Sequence, residues 1–224
     1  MTRIRISASM QAFDAPRNSV ATAWRYRLMV AKLLPVLKWR WHGVGMLQGY
    51  IMEGEKELRV HLWSPELILE GIDISGDIHD HRFDLRSDVL VGAIKHKEYQ
   101  LIPNGVNGTH SVWRLAHNAR RQLKIKTQGS DDMVEEPQAY TVKTEEAIFT
   151  EGISYIFPKR FYHQTQPITK YAVTLVSKTN QDDGMAGILC PIGKAPVPAF
   201  GRPISEIPQK SQRIIAECKR LLED

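Results

Sequence analysis

Two histidines, His79 and His81, lie two residues apart in the stretch GDIHDHRFDL at positions 76–85. Successive side chains of an extended strand point to opposite faces, so these two imidazoles share a face and Asp80 takes the other. Two imidazoles on one side of a strand can share a metal ion. Two polar residues on the solvated face of a sheet would read the same way, and a lone HxH pair does not choose between them.

The pair sits in a strand-rich region. From about Met46 to Lys178 short runs rich in Val, Ile, Thr, Tyr and Phe alternate with Gly, Pro and Asn, the pattern of strands joined by turns. Candidate strands are GMLQGYIME, LRVHLW, LILEGIDI, DVLVGAIKHKEYQLI, HSVWRLAH, QLKIKT, QAYTVKTEEAIF, SYIFP and KYAVTLVSK. No helical pattern separates them, which argues for an antiparallel sandwich or barrel rather than a parallel α/β sheet.

Helical signals flank this region. Over Ser19–Trp41, Val20, Trp24, Leu28 and Ala31 recur at helical intervals, with Asn18 or Ser19 as N-cap and Pro35 as a break. The Arg, Lys and Trp content would suit a membrane surface or an acidic partner, but packing of the aromatics on the domain's own sheet is the expectation. After Asn180 a Pro-rich stretch reads as an extended surface segment. The final SQRIIAECKRLLED then places Ile214, Ile215, Cys218, Leu221 and Leu222 on one face of a helix that docks on the core. The expected organisation is an N-terminal helical segment (1–45), a β-barrel (46–180), and a Pro-rich segment with C-terminal helix (181–224).

Composition narrows the class. The 224 residues, 42% hydrophobic, are enough for one sizeable core. Thirty Lys+Arg against 25 Asp+Glu give a net charge of +5, a mild bias toward anionic partners and no nucleic-acid signature. Cys190 and Cys218 form no CxxC pattern, which argues against a disulfide framework or a cysteine zinc site and for a reducing cytoplasm. No apolar run approaches the ~20 residues needed to span a bilayer or the length of a signal peptide. A soluble, cytoplasmic protein without membrane contact is expected.

A longer ruler then gives the HxH pair a context. Counting on from His79 and His81 through Leu85 to Gly92, the sequence resembles the first motif of the cupin family, G-x5-H-x-H-x3/4-E-x6-G. GISYIFPKRFYHQTQP resembles the second, G-x5-P-x-G-x2-H-x3-N, with Gly152, Pro158 and His163 at matching places. Asp73 stands at the first motif's opening glycine, with Gly71 and Gly76 nearby; Arg160 stands at the second motif's glycine and Pro167 at its asparagine. Leu85 occupies the place of the glutamate ligand.

The resemblance implies a mostly β cupin double-stranded β-helix, or jelly-roll barrel, with helical segments at both ends. It implies a metal held by His79, His81 and His163, with no carboxylate in the set. Such a shell resembles that of the thiol (cysteine) dioxygenase-like branch, where an IHDH stretch carries the first two histidines. The metal implied is iron(II), with another divalent transition metal as the alternative; the partners implied are dioxygen and a small substrate, and pairing through sheets makes a homodimer the expectation.

Within that resemblance an arginine should hold a substrate carboxylate, because its planar fork matches a carboxylate bidentately. Arg59 is the first candidate and shares a strand face with His61, while Arg82 alternates outward. Arg160 and Tyr162, flanking His163, are candidates for the pocket mouth, and Tyr155 for a hydroxyl near bound oxygen; each could equally be an ordinary rim residue. Asp84 could swing toward the metal on a bulge, but a turn cap or a pair with Arg82 or Arg86 is expected. His42, His96, His110 and His117 are expected to be solvated or structural. The basic stretch Trp113–Lys126 reads as a solvated hairpin or an anion-recognising one.

Two functions follow from the resemblance: an iron(II) dioxygenase acting on a small anionic substrate, a thiol in its most concrete form, or a cupin that binds metal or ligand without turnover, as a sensor or interaction module. The missing glutamate is compatible with both.

Overall fold

A computed structural model of the chain describes residues 11–13, 18–42, 44–68, 78–115, 133–196 and 202–224. Alternating residues of one strand show how the layers form. In β4 (Lys56–Ile68), Leu58, Val60 and Leu62 are buried in one apolar cluster, while Trp63, on the other face with Arg59 and His61, packs in a second. A strand with both faces covered must lie between two layers.

The first cluster lies under helices α1 (Asn18–Leu33) and α2 (Pro208–Glu223), which pack on each other and on this sheet. On α2, Ile214, Cys218 and Leu222 are fully buried at four-residue spacing, with Ile215 and Leu221 partly buried beside them. On α1 the buried residues are Val30 and Ala31, whereas Leu28, expected on the apolar face, is 46% exposed; the side chain of Trp24 lies outside the described residues. Proline ends α1: Pro35 sits in a 3-10 turn, Leu34–Val36, directly after it. Trp39 and Trp41 are buried against the sheet, their Nε1 groups donating to the carbonyls of Leu34 (3.1 Å) and Leu67 (2.8 Å). No described helix is long and apolar enough to cross a membrane.

Two antiparallel sheets make the barrel. The larger includes β1 (Gln11–Phe13), β2 (Arg40–His42), β3 (Val44–Glu53), β4, β5 (Asp84–Val91), β9 (Ser154–Phe157), β11 (Ala172–Thr179) and β13 (Arg202–Pro203), ordered β1-β9-β5-β11-β4-β3-β2-β13. The smaller includes β6 (Ala93–Pro103), β7 (His110–Leu115), β8 (Met133–Thr150), β10 (Tyr162–Pro167) and β12 (Gly187–Pro191), ordered β10-β6-β8-β7-β12. The fold is thus mostly β, a cupin-like jelly-roll barrel with helices at both ends. Its strands reach beyond 46–180: Trp41 of β2 and Leu189 and Cys190 of β12 are buried, so part of the stretch expected as a surface strap is a barrel strand. The expected strand QLKIKT and the end of LILEGIDI lie outside the described residues.

The motif glycines are turn positions. Gly92 and Gly152 have φ of 74° and 83°, in the left-handed region that glycine occupies without strain. Arg160, at the motif position of a glycine, has φ 70°, a left-handed conformation held here by a residue with a Cβ.

Candidate metal centre

The segment carrying His79 and His81 is a single hydrogen-bonded rung. The His79 N–H donates to the carbonyl of His163 (3.1 Å) and the His163 N–H donates back to that of His79 (2.9 Å). On its other side the Leu189 N–H donates to Ile78 (2.8 Å) and the Asp80 N–H to Gly187 (3.0 Å). β10 and β12 are the two ends of the smaller sheet, and both ends meet on residues 78–80. The third histidine is therefore brought to the first two by backbone pairing.

Asp80 locks this rung. It is 1% exposed; its carboxylate accepts from the Gly187 N–H (2.6 Å) and from Arg114 Nη1 (3.0 Å), with Arg160 Nη1 at 3.8 Å. Burial raises its pKa, and the Gly187 N–H and the two guanidiniums pull it partly back.

The ligand atoms of His79, His81 and His163 all lie within 4.8 Å of one another, and the ring centroids are 4.8 to 4.9 Å apart. Burial first, then the neighbouring imidazoles, hold the pKa values of His81 and His163 well below the usual histidine value. Both rings are therefore neutral at pH 7, the form that ligates metals. His163 Nδ1 is buried without a hydrogen-bond partner among the described residues, an atom that an ion could satisfy. This donor set fits a divalent transition metal with positions open to exogenous ligands.

The three rings line a cavity of about 310 Å³ between the sheets. Arg59 and His61 line it from β4, Leu85 and Ser87 from β5, His96 from β6 and Tyr155 from β9. Arg59 donates from Nε to Glu57 (3.3 Å), and its guanidinium lies 5.5 Å from the ring centroids of both Tyr50 and Phe83. Contact with two aromatic faces fixes the plane of a cation. His61 Nε2 is 3.0 Å from Gln48 Nε2, and burial, then Arg59 and His42, keep this ring neutral. Tyr155 is 3% exposed and stacks on Phe149 at 4.0 Å; burial pushes its pKa to about 12 while its hydroxyl hydrogen-bonds Ser87.

Other candidates stand elsewhere. Tyr162 and Arg160 do not line the cavity. Strand alternation turns Tyr162 away from His163 into a cluster with Tyr99, Val112 and Leu189. Arg160 is held by ion pairs to Asp182 and Asp80 and by the Met185 carbonyl. Asp84 caps the turn before β10, accepting from the Lys159 N–H (2.9 Å) and Asn180 Nδ2 (3.0 Å), so its carboxylate does not replace the missing glutamate. Leu85 occupies the cavity wall. Gly71, Asp73 and Gly76, and most of Trp113–Lys126, lie outside the described residues.

His96, for which the sequence gives a solvated or structural expectation, lines the cavity. It is 1% exposed, lies 4.7 Å ring to ring from His163, and has burial depress its pKa to about 3. The sequence carries a signal for it: in Ile94-Lys95-His96-Lys97 the two lysines mark the outer face, which turns His96 inward with Ile94.

Fold and site together define a cupin-like barrel with a three-histidine cluster able to hold a metal. No family model and no curated protein matches the chain. Among solved structures it is similar to the hydroxypropylphosphonic acid epoxidase from S. wedmorenis, at 11% identity over 60% of this chain and 51% of that one, with a TM-score of 0.32. An Fe(II) form of HppE overlaps at 10% identity over 80% of this chain and 60% of that one, TM-score 0.33. Drosophila melanogaster CENP-C bound to CAL1 overlaps at 10% identity over 72% and 97%, TM-score 0.34. The chain thus spans only 51% and 60% of the length of the first two. At scores this low the functional reading rests on the site itself.

Proposed function

We propose that this protein is a metal-dependent cupin in which His79, His81 and His163 hold iron(II), and that it oxidises a small anionic substrate with dioxygen. The observation that carries the reading is the convergence of three potential ligand atoms within 4.8 Å on the wall of a cavity that Arg59 also lines. Iron(II) would supply a site for redox chemistry with dioxygen. Zinc and copper also suit imidazoles, and iron is preferred for the chemistry that the cupin resemblance implies.

The chain's own residues divide the remaining work. The three imidazoles are gathered by the 78–80 rung, and two of them, His81 and His163, need no proton release before binding an ion. Arg59, pinned over Tyr50 and Phe83, presents its terminal amino groups to a carboxylate, which sets the substrate's orientation. Leu85, Trp63, Met46 and Val176 add apolar surface to a wall that also carries Gln48, His61, Ser87 and Thr174. A thiol carboxylate is the most concrete substrate for a centre that lacks a carboxylate ligand of its own.

Leu85 also supports a second reading, a cupin that binds metal or ligand without turnover. Metal analysis with an oxygen-electrode screen of thiols separates the two. Stoichiometric iron with thiol-dependent oxygen uptake supports the enzyme; stoichiometric iron with no uptake on any thiol favours the binding module. If His163→Ala leaves metal content unchanged, the three-histidine site is wrong.

A further inference from the structure

We propose that His96 is a ligand-contacting residue of this centre, donating a hydrogen bond from Nε2 to the anion that occupies the open side of the metal. The inference rests on the metal reading above. His96 projects from β6 into the cavity, and its Nδ1 lies 3.1 Å from the hydroxyl of Thr165, its register partner on β10. The ring is fixed by Phe157 at 4.6 Å, edge to face, and by Tyr155 at 5.6 Å. Its Nε2 is buried with no hydrogen-bond partner among the described residues.

A buried polar atom without a partner is costly, and in a cavity wall it marks where a ligand atom completes the bond. His96 is outside the set whose donor atoms converge within 4.8 Å, yet its ring lies 4.7 Å from that of His163. It therefore stands beside the ligand set, outside it. Three neutral imidazoles leave a dication's charge unbalanced, so the exogenous ligand drawn there is an anion, which needs donors. With the Thr165 hydroxyl as the donor to Nδ1, a neutral ring carries its proton on Nε2, the atom left without a partner.

The test uses the full chain, stripped of metal, reloaded with Co(II) and titrated with azide while the visible Co(II) bands are followed. His96→Phe, which suits the aromatic surroundings, is expected to keep stoichiometric Co(II) and to bind azide ~10-fold more weakly. His96→Gln, which returns an amide donor, is expected to recover part of that loss. Unchanged azide affinity in both variants overturns the proposal, and so does loss of Co(II) from both while circular dichroism shows the fold intact, since His96 would then be a ligand. Wild-type protein that takes up no Co(II) overturns the metal reading as well, whereas the other two outcomes leave that reading standing.

Discussion

His79 and His163 exchange a reciprocal pair of backbone hydrogen bonds, 3.1 and 2.9 Å long, although they lie on opposite sides of the long β6–β8 excursion. The two motifs are therefore one structural unit, and the relative placement of the three histidines follows from a strand ladder. A site built this way is organised before any ion arrives.

Asp80 is expected to matter more than its place between two ligands suggests. In Asp80→Asn one amide oxygen can still accept from Gly187, but an NH2 group replaces the acceptor facing Arg114. Loss of stability of about 1–3 kcal/mol in urea unfolding is expected, with metal affinity lowered roughly 10–100-fold as the rung loosens. Equal metal affinity in a folded variant would show that Asp80 does not position the ligands.

Gly92 turns β5 into β6 with φ 74°, and a Cβ there would lie 2.3 Å from the Tyr171 carbonyl oxygen. Gly92→Ala is expected to cost about 1–3 kcal/mol through backbone strain and the displacement of Tyr171. A thermal melt of the metal-free protein reads this directly, and an unshifted midpoint would contradict it.

Stability should depend on pH through the buried histidines. The folded pKa of His96 is about 3, and those of His61, His81 and His163 lie well below 6.5. The unfolded chain then binds protons that the folded one refuses, so stability is fully present above the unfolded value of 6.5 and declines as pH falls through the window toward 3. Urea midpoints of the metal-free protein at pH 7.5, 6 and 5 should fall in that order, and His96→Gln should flatten the decline. A pH-independent midpoint would mean that these rings are charged or solvated.

Arg59 gives the substrate reading its own handle. Cysteine binding to the Co(II) protein, followed by the thiolate-to-cobalt absorption band, should weaken by ~10–100-fold in Arg59→Met. Cysteamine, which lacks the carboxylate, should bind both proteins alike. Parallel losses for the two thiols would assign Arg59 a structural role instead.

The strand texture and motif ruler were legible because they are local or fixed by spacing. Alternation alone places Leu58, Val60 and Leu62 under the helices and Arg59 and His61 in the cavity. The same alternation places Tyr162 opposite His163, and sequence adjacency was the weaker guide there. Arg114 and Gly187 escaped notice because they meet Asp80 only through the pairing of β7 with β12. His96 was visible as an inward residue between two lysines, but its partnership with Thr165 depends on the β6–β10 register, which no local pattern encodes.

The rung at residues 78–80 also meets two strand edges. It pairs through His79 with one edge position on each of β10 and β12, and an unpaired strand edge is a template for pairing with another chain. A protein that lost its hold on this segment would bare two such templates together. The same few residues that gather the histidines thereby close the seam where the two ends of the smaller sheet meet.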